Sequence, residues 1–535
     1  MNMNQKCQWR GILIVTLFLI AFSWQSDDAY HAYAMARNLV EGNGFVYIAG
    51  ERVNASTCPL WTLMCAGAYA LSGNMYASTL ILGVLISAAS FALIAFRCQE
   101  WRTLTVCTTL FICGPCLIFG VSGLENCLLF LLSGLLLQVL LAPKEHMGRR
   151  DLFIIALLMA LLAWTRMDIA LLYAPACVCV YLKRRAPGVS FPSAAFIALL
   201  GLSPFWLWLL FSTWYYGFPF PNTAYAKLAT LLPKTYYLQW GISYLFWSSF
   251  CYISIPAGLG IAAYLCCRKA TRSLIPLNLC LGSLLYVIYI LYVGGDFMVG
   301  RHFSVVLYVC LFLIAHQSAV ATISKKKIFI VLFGVPAWSL VSISIALLFF
   351  LADGRRVKQI CHDTFNVQID RCVVLNSYGF NMEFTYWGMG QASWLFHPSR
   401  YERGIFNDDF GNIPTALTVK DLPPSSVIPM EVAYGCAVYK VHNAAHLIDP
   451  YGLGDALIAR LPSEIVFPRI GHVPRNIPDG YAESLESGEN RIANPKIHEF
   501  YDHLKIVISG DLFSMERLRE IYRFNTGYYS DLPHP

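Results

Sequence analysis

The chain is a succession of apolar runs joined by short loops, and that pattern leaves little choice of fold. The run MYASTLILGVLISAASFALIAF, at 75–96, contains no charged residue. It is long enough to cross a hydrocarbon core, which takes roughly 17–25 residues of helix. Comparable runs lie at 11–25, 104–120, 125–142, 152–166, 168–182, 193–213, 250–267, 275–293, 303–321 and 327–351. Hydrophobic residues make up 57% of the chain and charged residues only 13%, where a soluble protein has about 25% charged. A polytopic α-helical membrane protein follows.

Basic loops set the orientation, because cytoplasmic loops collect Lys and Arg. Five interhelical loops are basic: Arg97-Arg102, Lys144-His146-Arg149-Arg150, Lys183-Arg184-Arg185, Arg268-Lys269-Arg272 and Lys325-Lys326-Lys327. Placing these and the N-terminus in the cytoplasm puts two crossings between each neighbouring pair. The expectation is about eleven transmembrane helices, with the N-terminus in and the C-terminus out. The first run, behind Lys6 and Arg10, resembles a signal peptide but lacks a small-residue cleavage site before Asp27, so a retained helix is expected. Two shorter stretches, 58–72 and 236–249, break the parity and are expected to lie along the outer interface; reading them as crossings would give thirteen. From 353 to 535 charge, Pro, Gly and Asn rise, so the chain divides into a membrane domain, 1–352, and a C-terminal mixed α/β extracytoplasmic domain, 353–535. RCVVLNSYGF and GCAVYKVH have the pattern of strands; KIHEFYDHLKIV and SMERLREIYRFN have that of helices.

The 18 cysteines fall mostly in apolar runs and fit small buried hydrophobes. A Cys361–Cys372 disulfide stays open, with Cys436 left over. The net charge of +7 resides mostly in the short basic loops, so no nucleic-acid partner is expected. No CxxC, HExxH, P-loop or GxSxG motif occurs, and no metal or other cofactor is expected.

Under this topology five polar clusters share the outer side: Asp27-Asp28, SGLEN (122–126), TRMD (165–168), PNTAYAK (221–227) and GGDFMVGRH (294–302). Two adjacent carboxylates at a bilayer edge are costly to desolvate, which marks Asp27 and Asp28 as a functional site. After them, 29–40 has helical periodicity, with Ser26 or Asp27 as cap and Gly42-Asn43-Gly44 as stop. Asp27, His31 and Asn38 fall on one face beside Arg37; Ala29, Ala32, Tyr33, Ala36, Leu39 and Val40 form the apolar side. The plain structural alternative is a solvated face with an N-cap aspartate. Elsewhere, Arg301 and Arg166 have the planar fork that suits a phosphate, and Lys227 is a point charge for the same group. The alternatives are a snorkelling Arg301, an Arg166–Asp168 pair orienting a tight turn, and an interfacial Lys227. Glu125 opens an apolar helix, where the dipole alone favours it. Asn222, Asp296 and His302 belong to the same clusters. Asp449 and Asp455 flank a glycine-rich turn that either holds acceptor hydroxyls or packs the domain.

The run DDAYHAYAMARNLVEGNGFVYIAGERVNASTCPLWTL resembles the start of polyprenyl-phosphate-dependent glycosyltransferases of the GT-C fold. It is most similar to the mycobacterial terminal β-(1→2)-arabinofuranosyltransferase group and related bacterial arabinosyltransferases. SGLEN, WTRMD, PNTAYAK, GGDFMVGRHF, HLIDPYGLGDALIARLP and GHVPRNIPDGYAESLESGENRI follow in the same order. The resemblance implies a GT-C core with a periplasmic C-terminal domain in the bacterial inner membrane. It implies a donor such as decaprenyl-phosphoryl-arabinofuranose, and a catalytic role at Asp27 and Asp28. Met167 stands where relatives often have proline, and the C-terminal region is short, so the acceptor is left between a glycan and a pilin-like protein. The mechanism expected is proton removal from the acceptor hydroxyl by Asp27 or Asp28, oriented by His31, with Arg301, Lys227 and Arg166 on the donor phosphate. Three rivals remain. One is the same architecture using mannose or aminoarabinose, or ligating an oligosaccharide. The second is a lipid-linked sugar transporter, which would place ionisable residues in mid-membrane. The third is a membrane-anchored binding or assembly protein with an outer domain, which would tolerate neutral substitutions at Asp27 and Asp28.

Overall fold

The computed structural model describes residues 3–26, 28–228, 230–267, 274–317, 328–342, 426–429, 435, 438–439, 445–463 and 471–532. The described chain is mostly helical. Its helices are α1 (Met3–Ala21), α2 (Ala29–Val40), α3 (Pro59–Ser72), α4 (Met75–Arg97), α5 (Trp101–Ile112), α6 (Pro115–Phe119), α7 (Asn126–Leu140) and α8 (Arg149–Thr165). Then come α9 (Ala170–Cys179), α10 (Phe191–Gly201), α11 (Ser203–Tyr216), α12 (Asn222–Leu228), α13 (Lys234–Cys251), α14 (Ser254–Cys267), α15 (Leu274–Val293) and α16 (Arg301–Gln317). An apolar helix α17 (Ile330–Ser342) precedes α18 (Tyr481–Ser487), α19 (Pro495–Ser509) and α20 (Met515–Asn525).

Among the described residues, α4 and α15 are each long and apolar enough to cross a membrane. The number rises to four if α10 with α11, and α13 with α14, each form one broken span. The other apolar helices are shorter, α7, α16 and α17 among them. Boundaries follow local chemistry. Pro59 starts α3 at a position where no amide donor is needed, and Gly73, at φ 66°, ends it. Asn494 caps α19 by accepting from the Lys496 and Ile497 amides, and Pro495 occupies its first turn.

Two compact units interleave along the chain. The first comprises Met1–Gln25, Leu80–Pro204 and Lys234–His397; the second comprises Ser26–Thr79, Phe205–Pro233 and Pro398–Pro535. A cut at 352 therefore does not coincide with either unit. The reason is a shared core: Val53 from the first loop and Phe218 from the 205–233 stretch are buried with Ile448, Leu457, Tyr481, Leu504, Val507 and Ile521. Burying those apolar side chains together gives the second unit its cohesion.

The only described sheet is a parallel pair, β1 (Ser426–Pro429) with β2 (Ala445–Ile448), in the register Ser426–Ala445 to Pro429–Ile448. Of the expected strand GCAVYKVH, the described residues Gly435, Val438 and Tyr439 are helical. The run RCVVLNSYGF, the cysteines 361, 372 and 436, and the basic loops 268–272 and 325–327 lie outside the described residues. The two C-terminal helices fall where the 3.6-residue period puts them, as α19 and α20.

Candidate functional site

Three of the five polar clusters meet in the first unit. Glu125 stands directly before α7, Arg166 and Asp168 fill the tight turn between α8 and α9, and Asp296, Arg301 and His302 lie between α15 and the start of α16. Glu125 is 1% exposed. Its Oε1 accepts from Arg166 Nη1 at 3.1 Å and from Arg301 Nη2 at 3.1 Å. Arg166 also grips Asp168 with two parallel bonds, Nε to Oδ1 at 3.0 Å and Nη2 to Oδ2 at 2.9 Å. Arg301 Nη1 reaches Asp296 Oδ2 at 3.4 Å.

His302 closes this network. Its Nδ1 lies 3.4 Å from Arg166 Nη2, which has no lone pair and can only donate. The ring proton therefore belongs on Nε2, which faces Asp296 Oδ2 at 3.6 Å. Tyr286 donates to Asp168 Oδ2 at 3.2 Å, and the His302 amide donates to the Tyr244 hydroxyl at 3.1 Å. Three carboxylates thus face two guanidiniums. Both arginines expected to hold a phosphate are already held by carboxylates, and Arg166–Asp168 forms the local pair named as its structural alternative. The glycines here serve the fold: Gly295, at φ 76°, is pressed against the Tyr244 side chain, and Gly300, at φ 83°, against Tyr252.

The other two clusters meet in the second unit. Asp28 occupies the N-cap position of α2 without a side-chain capping bond. Asp27 lies outside the described residues. His31 packs its ring against Tyr47 at 5.4 Å between centroids. Burial lowers its pKa from the ordinary value, the nearby Asp28 carboxylate opposes that shift, and Lys227 adds to it. Asp28 and Lys227 therefore each lie within electrostatic range of His31. Lys227, at the end of α12, is exposed.

The remaining expected residues of this unit hold the chain together. Asn38 is buried on the His31 side of α2, opposite Ala29, Ala32, Tyr33 and Ala36, and donates to the Val46 and Tyr47 carbonyls at 3.1 and 3.0 Å. It pins the loop that follows the helix instead of continuing a polar stripe. Arg37 pairs with Glu41 at 2.7 Å and donates to the Tyr439 carbonyl at 3.3 Å. Asn222 donates to the carbonyls of Gly452 and Asp455 at 2.8 and 2.9 Å, while its own oxygen accepts from Arg460 at 2.8 Å. Asp449 accepts three amides, from Tyr451, Leu453 and Gly454. Asp455 accepts from the Ile458 amide at 2.8 Å and from the Tyr481 hydroxyl at 2.9 Å. Both aspartates build the glycine-rich turn. Burial pushes each carboxyl up to about 6.

Sequence reasoning missed Tyr286 and Tyr244, whose hydroxyls complete the first network, and Arg475, which is 3% exposed and donates to the Ala226, Leu461 and Tyr451 carbonyls. Helix α15 carries three tyrosines, at 286, 289 and 292, and burial singles out Tyr286, since a buried hydroxyl needs a partner.

The described cysteines are free thiols, and most of them are buried. Comparison with known proteins finds no matching family model, no matching curated protein and no matching solved structure.

Proposed function

We propose that this chain is a membrane glycosyltransferase of GT-C architecture. It moves a pentose, arabinofuranose in the simplest case, from a polyprenyl-phosphate donor to a glycan or pilin-like protein. The membrane part crosses the bilayer about eleven times with its N-terminus in the cytoplasm, and the reaction takes place on the outer side of the inner membrane. Transmembrane helices shorter than the usual length are completed by aromatic and basic residues at the interface.

One observation carries the reading: the Asp28 carboxylate and the Lys227 ammonium both act electrostatically on His31, though Lys227 comes nearly two hundred residues later in the chain. A carboxylate and a cation are what glycosyl transfer from a phosphate needs. The acceptor oxygen attacks the anomeric carbon and loses its proton to Asp27 or Asp28. The bond from the anomeric carbon to the phosphate oxygen breaks, and the polyprenyl phosphate leaves with its added charge opposed by Lys227. His31, disfavoured as a cation by burial, orients one carboxylate by hydrogen bonding. The Arg166 and Arg301 forks already carry carboxylates, so Lys227 takes the main phosphate role here.

The test is transfer of labelled pentose from a polyprenyl-phosphate donor by membranes containing Asp27→Asn or Asp28→Asn. Loss of at least about a hundredfold in either variant, the usual scale for a general base, supports the reading. Wild-type transfer by both variants, at equal protein level, ends it. Donors bearing mannose or aminoarabinose in the same assay separate the sugar from the architecture.

A further inference from the structure

Helix α20 buries one side in the fold and carries an apolar stripe on another that the fold leaves exposed. Arg517, Glu520 and Ile521 are buried, at 0%, 3% and 7% exposure. Phe524, on the same side, packs edge-on against Phe500 at 5.4 Å. At about 100° per residue, Met515, Leu518 and Tyr522 fall on the opposite side. They are 76%, 40% and 70% exposed, and Phe513, just ahead of the helix, is 77% exposed. A helix with a core face needs no second apolar stripe for its own stability.

The stripe continues onto another apolar surface of the same unit. Phe513 packs against Trp214 at 5.6 Å between ring centroids. Trp214 lies near the end of α11, which exposes Trp206, Leu207 and Leu210. The buried Arg517 guanidinium locks this junction, donating to the Trp214 and Tyr215 carbonyls at 2.7 and 2.8 Å. A cation there satisfies carbonyls that the end of a helix leaves without an amide.

We propose that Phe513, Met515, Leu518 and Tyr522 rest in the headgroup–acyl boundary of the membrane, so that α20 is an interfacial lipid anchor. The composition fits that occupant. Tyr and Trp favour the headgroup level, and the exposed Arg519 beside the stripe can lay its stem along lipid and its charge in the headgroups. Continuity argues for lipid over a protein partner: through Phe513 and Trp214 the stripe joins the exposed apolar surface of α11, which with α10 is one of the candidate bent membrane spans.

The full-length protein in nanodiscs of phosphatidylethanolamine and phosphatidylglycerol tests this. Met515→benzoylphenylalanine and Tyr522→benzoylphenylalanine, photolysed, are expected to yield phospholipid adducts by mass spectrometry, and Glu486→benzoylphenylalanine none. Adducts absent from both stripe positions, or a cross-link to a second polypeptide, overturn the proposal. A second measurement needs no foreign side chain. Trypsin cleavage after Arg519 should be slow in nanodiscs and accelerate in M515S/Y522S; equal rates in the two proteins overturn it as well.

Discussion

Replacing Arg301 with methionine removes one of two cations from a network that already holds three carboxylates. Arg301 is 8% exposed and Glu125 1%, so water cannot take over the lost interactions. Breaking a buried pair by removing one partner costs about 3–5 kcal/mol. Arg301→Met should sit at the upper end, because Glu125 and Asp296 both lose a partner while Arg166 is left alone against three negative charges. Glu125→Gln is the mirror experiment. It removes the central carboxylate but brings the charges into balance, and the amide oxygen still accepts from one guanidinium. Its cost should be about 1.5–3 kcal/mol, the scale of one charged hydrogen bond. Unfolding of both variants in mixed detergent micelles, followed by far-ultraviolet circular dichroism, measures the two. The reasoning fails if Glu125→Gln is the more damaging, since that would mean the network is not carrying an excess of negative charge.

Asn222→Ala should destabilise by about 2–4 kcal/mol in the same assay, because the Gly452 and Asp455 carbonyls and Arg460 lose their shared partner at once. Gly480→Ala should be comparably damaging, since Gly480 sits at φ 84° and a methyl group there would meet the Arg491 carbonyl. The Asp449 and Asp455 carboxyls, raised to about 6 by burial, make the fold bind more protons than the unfolded chain. Their contribution is complete below pH about 4 and is lost as pH rises through about 6; Asp455→Asn should flatten that part of a denaturation-midpoint profile taken from pH 4.5 to 7.5. Arg517→Ala should lower stability by about 3 kcal/mol through the carbonyls it leaves unpaired, and retention of full stability would sever the link between α20 and α11.

The local elements could be read directly from the residues. Apolar runs became helices, Gly42-Asn43-Gly44 followed the end of α2, and α19 and α20 appeared at their period. Periodicity, caps and glycine stops act within a few residues, so a linear reading captures them. The charged clusters were legible as residues that must find partners, and three of them do meet in one network.

What those side chains touch was not legible, because a polar group's partner is whichever donor or acceptor the fold delivers. Asn38, Asp449 and Asp455 bond to nearby loop backbone and shape turns; Asn222 ties a segment more than two hundred residues away. Glu125 became the shared anion of two arginines only because three helix junctions converge on it. By itself the sequence determined where helices form and which charges must find company. The tertiary structure alone chose that company, and it set Val53, Phe218 and the C-terminal helices in one core, since burial is settled by distant segments packing together and not by neighbours along the chain.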